Sequence, residues 1–236
     1  MLELWELGGR GDCRFSTFSW RTRLALHHKG LTFEVHPVSV SDKAAFRFSG
    51  QGKVPILKHG DRIVADSWAI ALYLEKEFPE RPTLFDGPVG ETLSHVFNLW
   101  ADRELIPAFV PYLMRDVLDC VNEADGAHLR AQIEGALKKS LEELAAEREK
   151  ALPAFRRKLQ PVRKALEQKK FLGGANPTYA DYILFGVLQW SRVTSLVQVL
   201  EPGDVIAGWF DRVLDLYDGV GRQETSRAER TKETAA

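Results

Sequence analysis

Residues 79–88, PERPTLFDGP, hold three prolines and a glycine and divide the chain into two parts with different patterns. Proline fixes the backbone and lacks an N–H donor, so neither a helix nor a strand continues through such a stretch. Strand and helix patterns alternate before it, whereas almost everything after it has helical periodicity. The sequence therefore predicts an α+β protein with a small α/β domain over 1–80, a linker over 81–87 and an all-helical domain over 88–221.

The first domain reads as strand, helix, strand, hairpin and helix. A strand is predicted over 2–7 and a helix over 21–29, with Gly30 as its left-handed stop. Alternation over 31–35 predicts a second strand, and Gly60-Asp61 between two apolar runs predicts a hairpin. At the other end of the chain, residues 222–236 are almost free of apolar side chains and predict a flexible tail.

Composition excludes several classes of function. The hydrophobic fraction of 44% suits a globular protein, and a net charge of −1 argues against nucleic acid or an anionic membrane as a partner. No apolar run approaches a membrane span, and the acidic N-terminus does not resemble a secretory signal. Cys13 and Cys120 cannot build a disulfide framework, so a cytoplasmic location is expected. His27, His28 and His59 lack metal-ligand spacing, so no metal is expected.

The segment GKVPIL places Pro55 at the start of an apolar strand beside the hairpin. A cis Val54–Pro55 bond would turn the Val54 backbone groups outward, where an extended peptide ligand can pair with them. An ordinary edge-strand proline in the trans form is the alternative, because most X-Pro bonds are trans.

Two further segments place polar side chains where helices begin. Asp66 and Ser67 in ADSWAI are favoured N-cap residues, but the same helix N-terminus can bind a carboxylate while Asp66 holds an adjacent ammonium. An α-amino acid head group would satisfy both. Ser16 lies at a loop-to-helix junction, where its hydroxyl either caps the helix or donates a hydrogen bond to a bound thiolate.

These motifs in this order resemble the cytosolic glutathione transferases over nearly the whole chain. The resemblance rests on FSTFSWRTRLAL, KVPIL, DSWAIALYL and FLGGANPTYADYILF. It implies a thioredoxin-like N-terminal domain followed by an all-helical domain. In the last of these segments, Thr178 and Asp181 have the spacing of a capping box, a structural motif to which we assign no chemistry. The segments SWRTRLALHHKG, SWAIALYL, FLGG and DLYDGVGR resemble most the etherase-like branch, which includes bacterial glutathione-dependent β-aryl etherases and fungal etherase-like transferases.

The resemblance implies which residue activates the thiol of glutathione. The activating position lies five residues before Arg21, the arginine that begins the predicted first helix, and Ser16 occupies it. Thr17 or backbone N–H groups at the helix start are alternatives. Cys13 lies three residues too early to match the cysteine of the omega-like transferases.

The resemblance also implies the remaining contacts. Val54 beside cis-Pro55 would pair with the cysteinyl residue of glutathione, and Asp66 and Ser67 would hold its γ-glutamyl head. Lys53 and Gln51 would meet the glycine carboxylate, and Thr17 is also expected to bind glutathione. The electrophilic substrate is expected between the domains, and the following aromatic residues are candidates for contacting it, with core packing as the alternative for each: Phe18, Phe109, Tyr112 and Trp190.

Two functions follow from the resemblance. The first is a cytoplasmic, homodimeric detoxification enzyme that joins glutathione to a hydrophobic, aromatic electrophile, with cleavage of β-aryl ethers as one version. The second is a carrier of glutathione or hydrophobic ligands that performs no chemistry. A thiol-disulfide oxidoreductase is disfavoured because neither cysteine lies in a C-x-x-C motif.

Overall fold

The computed structural model describes residues 1–235 and consists of a four-stranded sheet with two helices, followed by a helical domain. The strands are β1 (Leu2–Leu7), β2 (Phe33–Val38), β3 (Ile56–His59) and β4 (Arg62–Ala65), in the order β2-β1-β3-β4. β1 pairs with β2 in parallel, and β3 pairs with both β1 and β4 in antiparallel fashion. This is the predicted thioredoxin-like sheet, including the hairpin around Gly60.

The described helices are the following: α1 (Thr17–His28), α2 (Ser67–Glu77), α3 (Pro88–Trp100), α4 (Ile106–Val117), α5 (Glu123–Leu137), α6 (Leu141–Ala146), α7 (Arg148–Lys158), α8 (Gln160–Leu166), α9 (Tyr179–Thr194), α10 (Val205–Leu214), α11 (Leu216–Gln223) and α12 (Arg227–Ala235). A π-helical segment, Ala101–Leu105, joins α3 to α4. Among the described helices, none is long and apolar enough to cross a bilayer.

α1 begins four residues earlier than its periodicity predicts. Ser16 accepts a hydrogen bond from the Ser19 N–H at 3.2 Å, so the cap is set by a side chain upstream of the apolar pattern. At the other end Gly30 has φ 62°, and the Leu31 N–H donates to the Leu26 carbonyl, as in a Schellman motif. The predicted glycine stop is confirmed.

α9 runs through the middle of the helical domain and also contacts the N-terminal domain. All but two of its sixteen residues are buried. The predicted capping box is present, and the fully buried Asp181 also accepts hydrogen bonds from the Leu172 N–H and the Trp209 indole at 2.7 and 2.8 Å. This carboxylate therefore fastens the preceding loop and α10 to the start of α9.

The segment predicted to be a flexible tail forms a helix over Arg227–Ala235 in the structure. This helix is held against the rest of the protein by contacts of its arginines instead of by apolar side chains. Arg227 forms an ion pair with Asp119 at 2.8 Å, and Arg230 donates to the carbonyl oxygen of Val193 on α9. Residue 236 lies outside the described residues.

Candidate glutathione site

The N-terminus of α2 borders a cavity of about 310 Å³, which we call the α2 cavity. It is lined by Phe18, Gln51, Lys53, Val54, Pro55, Ala65, Asp66 and Ser67. Three different elements meet here: the start of α1, the loop before β3, and the β4–α2 junction. Apart from the activating residue Ser16, the sequence predicts seven glutathione contacts, and six of them line this one cavity together with Phe18 from the predicted substrate set.

The Val54–Pro55 peptide bond is cis, as predicted. The Pro55 carbonyl accepts a hydrogen bond from the Asp66 N–H at 3.2 Å, which ties the proline loop to the start of α2. The two halves of the cavity are thereby fixed relative to one another.

Asp66 is the N-cap of α2, in a left-handed conformation with φ 82°. Its Oδ1 accepts from the N–H groups of Trp68 and Ala69 at 2.9 and 3.1 Å. Using one oxygen for the cap leaves the second oxygen able to accept a hydrogen bond from a ligand ammonium. The capping and ligand-binding interpretations of this aspartate are therefore compatible.

Ser67 is only 2% exposed and occupies the first turn of α2, where helix N–H groups lack partners within the helix. Its carbonyl accepts a hydrogen bond from the Tyr179 hydroxyl at 2.8 Å. Burial is the main cause that raises the pKa of Tyr179, so this hydroxyl is a stable donor. Through this hydrogen bond, the first residue of α9 in the helical domain holds in place a residue that lines the α2 cavity.

The charges around the cavity suit a zwitterionic ligand. Asp66 supplies a negative charge, Lys53 supplies a positive charge, and the α2 N-terminus carries a partial positive charge. A larger cavity of about 580 Å³ lies between α3 and α8, but its lining is mostly apolar. The α2 cavity differs from it in having an acidic and a basic side chain together with a helix N-terminus in its lining.

Ser16 and Thr17 are both buried, with 7% exposure each, and neither belongs to the cavity lining. Accepting the Ser19 N–H leaves the Ser16 hydroxyl proton available for donation. Thr17 packs against the core helix instead, because its carbonyl faces Gly186 on α9. The structure thus separates Thr17 from the other predicted ligand contacts.

The four aromatic candidates lie in different environments. Phe18 is 37% exposed at the cavity, whereas Phe109 and Trp190 are buried in the core. The Phe109 ring lies 4.8 Å from the Phe155 ring. Core packing, the alternative interpretation, therefore describes Phe109 and Trp190. Tyr112 is partly exposed on α4 but does not line the α2 cavity.

An ionic network beneath Phe18 was not anticipated from the sequence. Arg21 is fully buried, and its guanidinium carbon lies 4.7 Å from the centre of the Phe18 ring. It donates to Asn98 Oδ1 at 2.9 Å and to Asp102 Oδ1 at 2.7 Å, across the domain boundary. The sequence did carry one sign of this network: Arg21 lies three residues before Leu24 and so on the same, buried face of α1, where a charged side chain needs a partner.

Family models match both parts of the chain. The N-terminal domain model of glutathione S-transferase covers residues 15–77, and the C-terminal domain model covers residues 92–213. The chain belongs to the glutathione S-transferase family.

Individual relatives agree with this assignment. Glutathione S-transferase 1 of Dianthus caryophyllus is 45% identical over 74 residues, which span 29% of this chain and 34% of that protein. The match thus covers only about a third of that relative. Glutathione S-transferase omega-1 of Mus musculus is 24% identical over 201 residues, or 83% of this chain and 72% of the mouse protein.

Solved structures share the fold. A glutathione S-transferase of Ceriporiopsis subvermispora, solved in complex with glutathione, superposes with a TM-score of 0.75, 22% identity and 94% coverage of both chains. Glutathione transferase GSTFuA3 of Phanerochaete chrysosporium gives a TM-score of 0.73, 24% identity and the same coverage. At these identities the likeness establishes the architecture of this transferase-family chain, namely a thioredoxin-like domain and a helical domain.

Proposed function

We propose that this family member is a glutathione transferase that binds glutathione in the α2 cavity and joins its thiolate to a hydrophobic electrophile. The single observation that carries the proposal is the convergence of Asp66, Ser67, Val54 and Lys53 on one cavity. The complex of the Ceriporiopsis relative with glutathione supports the choice of ligand.

Each part of the tripeptide has a partner in this proposal. The γ-glutamyl ammonium binds Asp66, and its carboxylate binds Ser67 and the N-terminus of α2. The cysteinyl backbone pairs with Val54, and the glycine carboxylate binds Lys53 with help from Gln51. Charge-assisted hydrogen bonds of this kind are shorter and stronger than neutral ones, so the two ends of the peptide fix the position of its thiol.

Ser16 stabilises the thiolate by donating a hydrogen bond to it from its hydroxyl group. Its place at the N-terminus of α1 adds the positive end of the helix dipole, which also favours an anion. A hydrogen bond to the charged form lowers the pKa of a thiol, which increases the fraction of nucleophile at neutral pH. Backbone N–H groups of the first turn of α1 are the alternative source of this effect.

The electrophile approaches over Phe18, an exposed aromatic ring at the edge of the cavity. The thiolate sulfur forms a bond to carbon, and the leaving group departs with the electron pair. For a β-aryl ether the broken bond is carbon–oxygen, and the leaving group is an aryloxide. Tyr112 remains a candidate for contacting a larger aromatic substrate.

The domain limits proposed from the sequence, 1–80 and 88–221 with a linker over 81–87, place the boundary between α2 and α3.

We also propose a homodimer that covers the outer face of α3. Val89, Leu93 and Val96 on that face are 74%, 63% and 61% exposed, which is unusual for three apolar side chains on one helix. A cytoplasmic role in detoxification completes the proposal.

The test is calorimetric titration with glutathione, followed by a substrate panel with an aryl halide and a β-aryl ether model compound. Tight binding with turnover of at least one compound supports the transferase, and turnover of the ether supports the etherase version. Tight binding without any turnover would favour the carrier. If the wild-type protein does not bind glutathione, the α2 cavity is rejected as a glutathione site.

A further inference from the structure

The chain's two cysteines meet although they lie 107 positions apart in the numbering, at 13 and 120. Cys13 is in the loop between β1 and α1, and Cys120 ends a short 3-10 helix after α4. They are 2% and 3% exposed, and their side chains interact with one another. The Cys120 thiol also donates to the Val193 carbonyl oxygen at 3.8 Å and to the Asp116 carbonyl oxygen at 3.9 Å. The pair therefore joins the two domains at a point that the proposed transferase chemistry does not use.

The backbone of the β1–α1 loop is held tightly against Cys120. A Cβ on Gly9 would lie 2.2 Å from the Cys120 carbonyl oxygen, a distance that no side chain can occupy. The Gly9 N–H donates to the Cys13 carbonyl at 2.8 Å, which closes the loop around the thiol. The approach of the two cysteines is thus fixed by the backbone as well as by their side chains.

Both cysteines belong to the lining of a cavity of about 510 Å³. Its lining includes Arg10, Arg227 and Arg230 beside Asp119, so cationic groups outnumber acidic ones. Arg227 pairs with Asp119 at 2.8 Å, and Arg230 donates to the Thr225 carbonyl at 2.5 Å. The two cysteines therefore border a cavity that is large enough for a small hydroperoxide.

The same surroundings distinguish the two thiols. The hydrogen bond from Cys13, followed by the charges of Arg230 and Arg227, lowers the pKa of Cys120 despite burial. The hydrogen bond to Cys120 and burial raise the pKa of Cys13. Arg230 donates to the same Val193 carbonyl oxygen that lies 3.8 Å from the Cys120 sulfur, so a positive charge is close to Cys120. On this placement we take Cys120 as the nucleophile and Cys13 as its partner.

We propose that Cys13 and Cys120 are a peroxide-reactive dithiol that closes into an interdomain disulfide. The Cys120 thiolate attacks one oxygen of a small hydroperoxide, the O–O bond breaks, and the alkoxide or hydroxide takes a proton to leave as alcohol or water. Cys120 is then a sulfenic acid. Cys13 attacks that sulfur, the S–O bond breaks, and the oxygen leaves as water after taking the thiol proton of Cys13. Two electrons pass from the two sulfurs to the peroxide, and an external dithiol then reduces the disulfide to two thiols while becoming a disulfide itself.

The disulfide would act on the proposed active site through the chain itself. Cys13 is three residues before Ser16, and the Trp20 indole donates to the Arg14 carbonyl at 2.7 Å in the same loop. Closing the bond fastens this loop to the end of α4. The proposal concerns the thiol pair alone and stands whether or not glutathione binds in the α2 cavity.

The test treats the full-length protein with one equivalent of hydrogen peroxide and then blocks the remaining thiols before digestion with trypsin. We expect residues 11–14 and 116–130 as one disulfide-linked peptide, restored to two peptides by dithiothreitol. In the Cys13→Ser variant, dimedone should label position 120, because the second thiol is missing. In the Cys120→Ser variant, labelling at position 13 should be at least tenfold slower.

Thermal unfolding gives a readout that needs no variant. A cross-link between the domains should raise the Tm of the oxidised wild-type protein by roughly 5–15 °C, because it restricts the unfolded chain. Absence of the linked peptide from wild-type protein, its appearance only between two chains, or conversion of the thiols to sulfonic acids without a disulfide would each overturn the proposal.

Discussion

Gly186 on α9 lies directly against Thr17 at the start of α1, so closely that a Cβ at position 186 would stand 2.3 Å from the Thr17 carbonyl oxygen. This contact is where the helical domain meets the helix that begins beside Ser16. The absence of a side chain at position 186 therefore controls how near the proposed catalytic serine lies to α9.

Gly186→Ala should destabilise the protein, because the added methyl group must push backbone away from backbone. We expect a loss of roughly 1–3 kcal/mol in the free energy of unfolding, the usual cost of overpacking a core. Urea denaturation measures it. Gly135→Ala is the matched control, since position 135 is in α5 and has open space around it. That change should be neutral or stabilising by up to about 1 kcal/mol. Equal stability of the two variants would contradict the importance of the close contact.

Ser16→Ala should raise the pKa of bound glutathione's thiol and lower kcat/KM at neutral pH. Each unit of pKa corresponds to about 1.4 kcal/mol between the two protonation states. Thiolate absorbance against pH measures the shift. Ser16→Thr keeps both the hydroxyl and the helix cap, so it should retain most of the activity. If Ser16→Ala keeps the wild-type thiol pKa, activation belongs to the backbone N–H groups of α1 and the serine is only a cap.

Ser67→Ala should weaken glutathione binding by roughly 1–3 kcal/mol, because a charged carboxylate loses a hydrogen bond. Calorimetry measures the affinity. Ser140→Ala is the control: it removes the cap of α6 without touching the α2 cavity. Unchanged affinity in a folded Ser67→Ala protein would reject the assigned role.

Tyr179→Phe tests the support of the α2 cavity from the helical domain. The variant removes the hydrogen bond to the Ser67 carbonyl but preserves the buried ring. We expect a loss of about 1 kcal/mol in stability and a smaller loss of glutathione affinity than Ser67→Ala causes. A larger loss of affinity than in Ser67→Ala would mean that the tyrosine acts on the ligand more directly.

Glu75 should make stability depend on pH in the acid range. Burial alone would raise the pKa of this carboxyl, but hydrogen bonds from the Leu84 N–H, Lys29 and Thr83 outweigh burial and lower it. The unfolded state therefore takes up protons first as pH falls. The stabilisation is fully present above the ordinary pKa near 4.5 and is lost as pH drops through the lower folded value.

Glu75→Gln should remove part of that acid sensitivity and cost roughly 1–2 kcal/mol at neutral pH, since Lys29 is buried and would lose its partner at 2.7 Å. Denaturation midpoints between pH 3 and pH 7, a range set about the ordinary carboxyl pKa, check both effects. The exposed Glu77→Gln should change neither. An identical pH profile for Glu75→Gln and wild type would refute the role of this carboxylate.

Leu93→Glu should separate the proposed dimer into monomers, because it places a charge in the middle of the apolar face of α3. Light scattering coupled to gel filtration measures the mass. Leu137→Glu is the control, an exposed leucine on α5 away from that face, with 43% exposure. A wild-type protein that is monomeric at high concentration would refute the dimer itself.

The structural elements that could be predicted from the sequence alone are those that depend on residues close together in the chain. The Gly30 stop, the Gly60 hairpin and the capping box at Thr178 each depend on residues within about six positions of one another, so their geometry is encoded in short segments. Four short segments in the right order also indicated the family and most of the residues that line the α2 cavity. The lining residues lie at a proline loop and a helix start, which are local features as well.

Two features depended on the tertiary structure: which apolar side chains line a cavity instead of the core, and which residues far apart in the chain come into contact. Phe18 and Phe109 are equally apolar in sequence, yet one lines a cavity and the other packs against Phe155. Arg21 pairs with Asp102, which is 81 positions away in the chain, and Cys13 meets Cys120, which is 107 positions away. No periodicity encodes such contacts, because they depend on how two domains pack, and the stability of a buried charge or thiol depends on the partner that this packing supplies.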